Sequence, residues 1–184
     1  MPILPIIAFI AVVTLSGCSA FPLERITAGF GAVNGAIGAQ DIEASLLYAR
    51  AEVSTAELTR LPAQYGNINL GLELLGITAY QPEFSYIVGL LPTLRYSYSL
   101  NELVSPYVEF GAGPILLAIS TREQSKGFSF YDQVGAGIEY RINTGMSIIF
   151  GYRFGHISHG GTRNTVNRGI EIHTGLVGFV LDWP

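Results

Sequence analysis

The chain has 184 residues, of which 49% are hydrophobic and only 13% are charged. This length favours a single domain, and so apolar a composition indicates that much of its surface faces something other than water. The formal net charge of −4 at pH 7, without a basic cluster, argues against nucleic acid as a partner.

The first element is an apolar segment of signal-peptide length, Ile3–Leu15, followed by a cluster of small residues. We therefore expect residues 1–20 to be a signal peptide and residues 21–184 to form the mature domain. Two interpretations of Cys18 are equally open. The four residues that end at Cys18 resemble a bacterial lipobox, in which case Cys18 carries lipid, or cleavage after Ala20 removes it. No disulfide framework is expected, because Cys18 is the only cysteine.

The rest of the chain consists of short alternating segments rich in glycine, tyrosine and phenylalanine. After the N-terminus there is no apolar run of roughly 20 residues, the length that a membrane-spanning helix needs. Alternating segments with this hydrophobicity are typical of a transmembrane β-barrel, in which closure satisfies every backbone group in lipid. We predict an all-β fold, an antiparallel barrel of about eight strands: Thr27–Val33, Gln40–Arg50, Asn67–Tyr80, Phe84–Ser99, Pro106–Ile119, Gly127–Arg141, Met146–Ser158 and Ile170–Asp182.

Turn residues separate several of these strands. Gln81-Pro82-Glu83, Ser99 to Val104 and Asn143-Thr144-Gly145 all contain residues that tight turns favour. The segment Ala51 to Gly66 is ambiguous, since its pattern fits a long turn, a short helix or an extension of the second strand.

The seventh predicted strand indicates which face meets lipid. Its even-numbered residues from Ile148 to Phe154 are apolar, and His156 and Ser158 continue the same face. Arg153 must point into the lumen, because a cation on the lipid face near mid-membrane costs roughly 2 to 4 kcal/mol. Glu109, two residues before Gly111 on the fifth strand, is expected to pair with Arg153 inside the barrel.

Other polar residues have simpler interpretations. Asp132 and Glu139 differ in parity on the sixth strand, so without a bulge they cannot both face the lumen. On the eighth strand the odd-numbered residues from Glu171 to Trp183 share one face, which the pattern assigns to the outside, although the even-numbered residues are also fairly apolar. His173 lies on that face, where a hydrogen bond at the rim is favoured over metal ligation. Trp183 and the tyrosines are expected in interfacial belts.

The C-terminal window contains a candidate serine hydrolase site. A serine hydroxyl becomes nucleophilic when an imidazole takes its proton, and the imidazole needs a carboxylate to fix its tautomer. His156 and Ser158 are two residues apart, roughly 6.6 Å along one face of a strand. A paired register of the eighth strand would bring Glu171 against His156, and the backbone N–H groups of Gly160 and Gly161 are candidates to bind the oxyanion.

These residues resemble those of a known family, the PagL-type lipid A 3-O-deacylases. The family pattern is a Phe, one residue, His-x-Ser-Asn-x-Gly, a short loop and Asn-x-Gly-x-Glu. Two segments of this chain, Phe154–Gly161 and Asn167–Glu171, follow that order, and Pro106–Gly113 and Phe130–Tyr140 are also similar to the family. The chain departs from the pattern at His159, where the family has an Asn credited with holding the oxyanion.

The resemblance implies an eight-stranded outer-membrane barrel that removes the 3-position ester-linked acyl chain of lipid A in the outer leaflet. Ser158 would be the nucleophile, His156 the general base and Glu171 the orienting acid. His159, Gly160 and Gly161 would position substrate or hold the oxyanion, and neither a metal nor another cofactor is needed. Both chain ends would lie in the periplasm, so that the loop His159 to Gly169 is extracellular.

Two other functions remain open from the sequence. One is a non-catalytic small barrel with a structural or adhesive role, which the loss of the family Asn at position 159 favours and the short outer loops disfavour. The other is a soluble lipid-binding barrel. Such a barrel would have an apolar lumen and a polar exterior, the reverse of the arrangement that the seventh strand predicts.

Overall fold

The fold, seen in a computed structural model, is a single closed barrel of eight antiparallel strands. The structure describes residues 23–60, 62–119 and 124–182. The predicted signal peptide, Cys18 and Trp183 lie outside the described residues. In chain order the strands are β1 (Arg25–Ile37), β2 (Gln40–Ser54), β3 (Asn67–Gln81), β4 (Ser85–Ser97), β5 (Val104–Leu117), β6 (Gly127–Asn143), β7 (Met146–Ser158) and β8 (Ile170–Asp182).

Each strand pairs with its sequence neighbours, and β1 pairs with β8 to close the barrel. The predicted fold class and strand number are confirmed, and the bounds of β7 and β8 agree with the prediction. β1 is longer than predicted at both ends, because β2 and β8 provide hydrogen-bonding partners along its whole length.

The ambiguous segment after the second strand combines two of its possible structures. β2 extends as far as Ser54, and a four-residue helix α1 (Ala56–Thr59) and a 3-10 turn (Ala63–Tyr65) follow it. In the part of the chain that the structure describes, helices are all too short or too polar to cross a membrane.

The outer wall is apolar, as β7 predicted. The side chains of Phe150 and Tyr152 are 54% and 51% exposed, whereas Arg153, which follows Tyr152, is 1% exposed. On β8 the odd-numbered residues from Glu171 to Leu181 face outward, which confirms the weaker assignment of that strand. Exposed aromatic residues lie near both rims, at Tyr80, Phe84 and Tyr86 on one side and at Tyr96, Tyr98 and Tyr140 on the other.

The lumen is filled by two different sets of side chains. In the half nearer the β7–β8 loop the side chains are aliphatic and buried, and the void among them is about 10 Å³, close to the space of one water molecule. The half nearer the start of β1 and the end of β8 is ionic. There the guanidinium groups of three arginines face three carboxylates, namely Arg50, Arg95 and Arg153 with Glu52, Glu73 and Glu109.

The structure confirms two predictions about charged residues. Arg153 Nε lies 2.6 Å from Glu109 Oε1, so the predicted pair forms. Glu139 points inward and contacts Arg25 at 2.9 Å, while Asp132 points outward, as their opposite parity requires. The barrel therefore keeps its ionic pairs inside and leaves a few polar groups on its wall.

Candidate active site

The strand register brings His156 and Glu171 together. They are direct partners across β7 and β8, and both side chains point outward from the barrel wall. Cβ atoms of directly opposed residues lie about 4.5 to 5.5 Å apart. A carboxylate and an imidazole thus lie side by side on the lipid-facing wall, at the end of the barrel opposite Arg25 and Asp182.

Ser158 is the last residue of β7 and lies on the same outward face as His156. Its partner on the other neighbouring strand is Phe130 of β6. Among the described residues, no hydrogen bond joins the side chains of Ser158, His156 and Glu171. Free enzymes commonly show such loose geometry, because catalytic hydrogen bonds tighten only when substrate is bound.

Gly169 shapes the pocket around the imidazole. Its φ of +80° is a left-handed conformation that favours glycine, and a Cβ added there would collide with the ring of His156. The ring therefore leans towards Gly169. As a result the ring lies further along the strand than the Cα of His156, in the direction of Ser158. This contact gives a physical reason for a glycine two residues before Glu171.

The β7–β8 loop begins with two glycines in left-handed conformations. Gly160 and Gly161 have φ values of +56° and +74°, and no atom lies within 4 Å of the position that a Cβ would take on either. The chain can therefore turn sharply just after Ser158. The predicted oxyanion donors, the N–H groups of Gly160 and Gly161, thus follow the end of β7 at Ser158 by two and three residues.

His159 lies inside the loop rather than on the lipid-facing wall. Its side chain is 1% exposed, and its Nε2 is 3.3 Å from both the carbonyl oxygen and Oγ1 of Thr165. Its backbone N–H donates to Asn167 Oδ1 at 3.0 Å, and its carbonyl accepts a 2.7 Å hydrogen bond from Thr162 Oγ1. Its closest contacts are thus with the loop itself.

Asp132 is a neighbour of the site that the sequence did not reveal. It is the direct partner of His156 on β6, so the histidine lies between Asp132 and Glu171. The register shift between Arg141 and Asn143 decides this pairing. Counting back from the pair Asn143–Met146 without that shift would match Asp132 to Ile157, so the β6–β7 turn alone gives the wrong partner.

The two loops beside the site are joined to each other. Gln124 and Asn167 form an isolated bridge, and Arg163 Nη1 donates a 2.6 Å hydrogen bond to the carbonyl of Lys126.

Within the described ranges, no three His, Cys, Asp or Glu residues are grouped to hold a metal ion.

Comparison with known proteins identifies the family. The model of the family described as lipid A 3-O-deacylase (PagL) matches residues 42–180, more than half of the chain. The chain belongs to this family. The match includes Ser158, His156 and Glu171, and family membership together with the barrel fold makes the protein an embedded barrel of the bacterial outer membrane.

Solved structures of outer-membrane barrels share the fold of this PagL-family chain. Neisserial surface protein A (NspA) is 12% identical with a TM-score of 0.64, over 86% of this chain and 96% of that one. The outer membrane enzyme PagL is 16% identical with a TM-score of 0.57, over 84% and 97%. Ail, the attachment invasion locus protein of Yersinia pestis, is 16% identical with a TM-score of 0.53, over 88% and 99%. No curated protein sequence matches the chain.

Proposed function

We propose that the protein is a serine esterase of the outer membrane that removes the 3-O-linked acyl chain of lipid A. The observation that carries this proposal is the direct pairing of His156 with Glu171, with Ser158 two residues further along the same lipid-facing wall. Family membership supports the same reaction. A lipid in the outer leaflet would reach these side chains without leaving the membrane.

In this mechanism Ser158 Oγ attacks the carbonyl carbon of the ester while His156 takes the hydroxyl proton. Glu171 holds the imidazole in the required tautomer and stabilises the imidazolium. The tetrahedral oxyanion would accept hydrogen bonds from backbone N–H groups at Gly160 and Gly161, and removal of one such donor typically costs about 2.7 to 4 kcal/mol in the barrier. His159 would join them only if its ring turned out of the loop.

Collapse of the tetrahedral intermediate breaks the ester bond. The sugar hydroxyl leaves with the proton held by His156, and the acyl chain stays on Ser158 as an ester. Water then attacks this acyl-enzyme, with His156 again as base, and releases the fatty acid and the free serine. Neither step requires a cofactor.

The test compares lipid A from cells that express the wild type, Ser158→Ala or Ser147→Ala. Ser147 is a matched control, because it lies on the same strand but faces the lumen, where its hydroxyl has no hydrogen-bond partner in the described structure. We expect mass spectrometry to show loss of one hydroxyacyl chain with the wild type and Ser147→Ala only. Intact lipid A from all three strains, with each barrel folded in the outer membrane, would overturn the proposal and favour a non-catalytic barrel.

A further inference from the structure

A polar pair lies on the lipid-facing wall below the proposed triad. The hydroxyl of Tyr152 on β7 is hydrogen-bonded to Nδ1 of His173 on β8, and both side chains are exposed. His173 is two residues from Glu171 on the same face and directly opposite Phe154. Polar groups that face hydrocarbon are costly and usually functional. The mechanism above does not use this pair.

The wall is shaped so that these two residues meet. Tyr152 is directly opposite Gly175, and the space that a Cβ of Gly175 would occupy is empty. The tyrosine ring therefore extends diagonally to His173, with 6.0 Å between the ring centroids. The ring of Phe154 packs against the other side of the contact, 5.2 Å from His173. The orientation of His173 is thus determined by two aromatic neighbours.

The surroundings of His173 contain one anion. The outward-facing neighbours on β7, β8 and β1 are Tyr152, Phe154, His156, Glu171, Gly175, Ala32, Asn34 and Ala36. Within this described group only Glu171 is an anion. A carboxylate beside lipid needs donors for its lone pairs, because an unpaired charge in a poorly solvated site is costly.

We propose that Tyr152 and His173 are positioning residues for Glu171. The Tyr152 hydroxyl donates to Nδ1 of His173, which leaves the proton of the neutral ring on Nε2. Nε2–H then donates to the carboxylate of Glu171 from the side away from His156. A carboxylate has about four lone-pair sites, so it can accept hydrogen bonds from two imidazoles at once. This inference rests on the proposed function, since it assigns Glu171 to the triad.

A double-mutant cycle tests the proposal. The variants are His173→Leu, Glu171→Gln and the double variant, and the readouts are kcat and KM for lipid A and the rate at which a fluorophosphonate labels Ser158. We expect His173→Leu to lower kcat and the labelling rate about tenfold with KM unchanged, the equivalent of about 1.4 kcal/mol. In the Glu171→Gln background the same change should have no further effect, because the residues act as a unit. Additive losses, or no loss in the single variant, would overturn the proposal.

Conservative variants separate positioning from packing. His173→Gln keeps an N–H donor and should remain within about threefold of the wild type, whereas Tyr152→Phe, which removes one hydroxyl, should lose severalfold. Tyr86→Phe is the matched control, because Tyr86 is 61% exposed on the outer wall of β4. Equal losses in His173→Gln and His173→Leu would contradict a role as hydrogen-bond donor.

A measurement without turnover separates this proposal from the proposed function. Nitrogen-15 NMR of the folded barrel should show the neutral His173 ring protonated on Nε2, with a signal that changes in Glu171→Gln. If both results hold while lipid A stays intact, the positioning role stands and the lipid A assignment fails. If lipid A is deacylated but the Nε2 signal is unchanged in Glu171→Gln, the positioning role is wrong and the esterase function is supported.

Discussion

The charged lumen and the proposed triad contain similar chemical groups in opposite environments. In the lumen Arg153 contacts Glu73 and Glu109 at 2.8 and 2.6 Å, and all three are buried. On the outer wall, among the described residues, neither His156 nor Glu171 takes part in a salt bridge. The buried charges of the lumen are paired with one another, whereas His156 and Glu171 are outside any salt bridge of the described structure and point away from the barrel. Pairing, rather than residue type, therefore distinguishes the charges of the lumen from those that we propose for catalysis.

The largest expected effects are a loss of stability for a change in the lumen and a loss of activity for a change on the outer wall. Arg153→Met removes a buried cation from two carboxylates and leaves Glu73 only the more distant Arg50, at 3.6 Å. It should therefore lower the free energy of unfolding by about 3 to 5 kcal/mol. Glu171→Gln should change it by less than about 0.5 kcal/mol, as at other surface sites, yet lower kcat by about 10² to 10⁴-fold. Urea unfolding in detergent and lipid A turnover measure the two quantities. A large loss of stability in Glu171→Gln would erase the distinction.

The next largest effect is expected at Gly169. An alanine there puts a Cβ into the imidazole of His156 at a left-handed φ, which costs roughly 1 to 2 kcal/mol in backbone strain alone. A catalytic group displaced by about 1 Å can lose 10²-fold in rate, so we expect kcat to fall by about that factor. Gly76→Ala on β3 is the control, because its Cβ would also meet open space and it lies far from the site. Equal activity in the two variants would show that Gly169 does not position His156.

A smaller effect is expected at His159, whose ring holds the loop from inside. His159→Ala removes the contacts with Thr165. Loss of a buried polar contact typically costs about 1 to 3 kcal/mol, and a cost near the lower end of this range would lower kcat about tenfold. Limited proteolysis should show faster cleavage within residues 159–169. A drop in kcat with an equally protected loop would instead favour a direct oxyanion role for the ring.

The smallest effect is expected at Asp132, the second carboxylate beside His156. Its side chain is exposed, and exposed charge pairs contribute about 0.2 to 1 kcal/mol, so Asp132→Asn should lower kcat by about threefold. Steady-state kinetics alongside Glu171→Gln provide the comparison. A loss as large as that of Glu171→Gln would identify Asp132 as the orienting acid.

Much of the fold followed from local pattern. Alternation along β7 predicted that Arg153 points inward and that His156 and Ser158 point outward, and the described structure agrees. Asp132 shows the limit of such reasoning. Its parity predicted only that Asp132 and Glu139 do not both face the lumen. Its pairing with His156 depends on the register shift near Arg141, which the sequence pattern does not indicate.

Local sequence pattern was enough to predict about eight strands and to tell which residues of a strand share a face, because alternation with a period of two is a property of the local backbone. Which residues meet across strands depended on the assembled barrel. It paired His156 with both Glu171 and Asp132, and it turned the ring of His159 into its own loop. These contacts depend on register, bulges and loop packing, which arise when distant segments satisfy one another's hydrogen bonds.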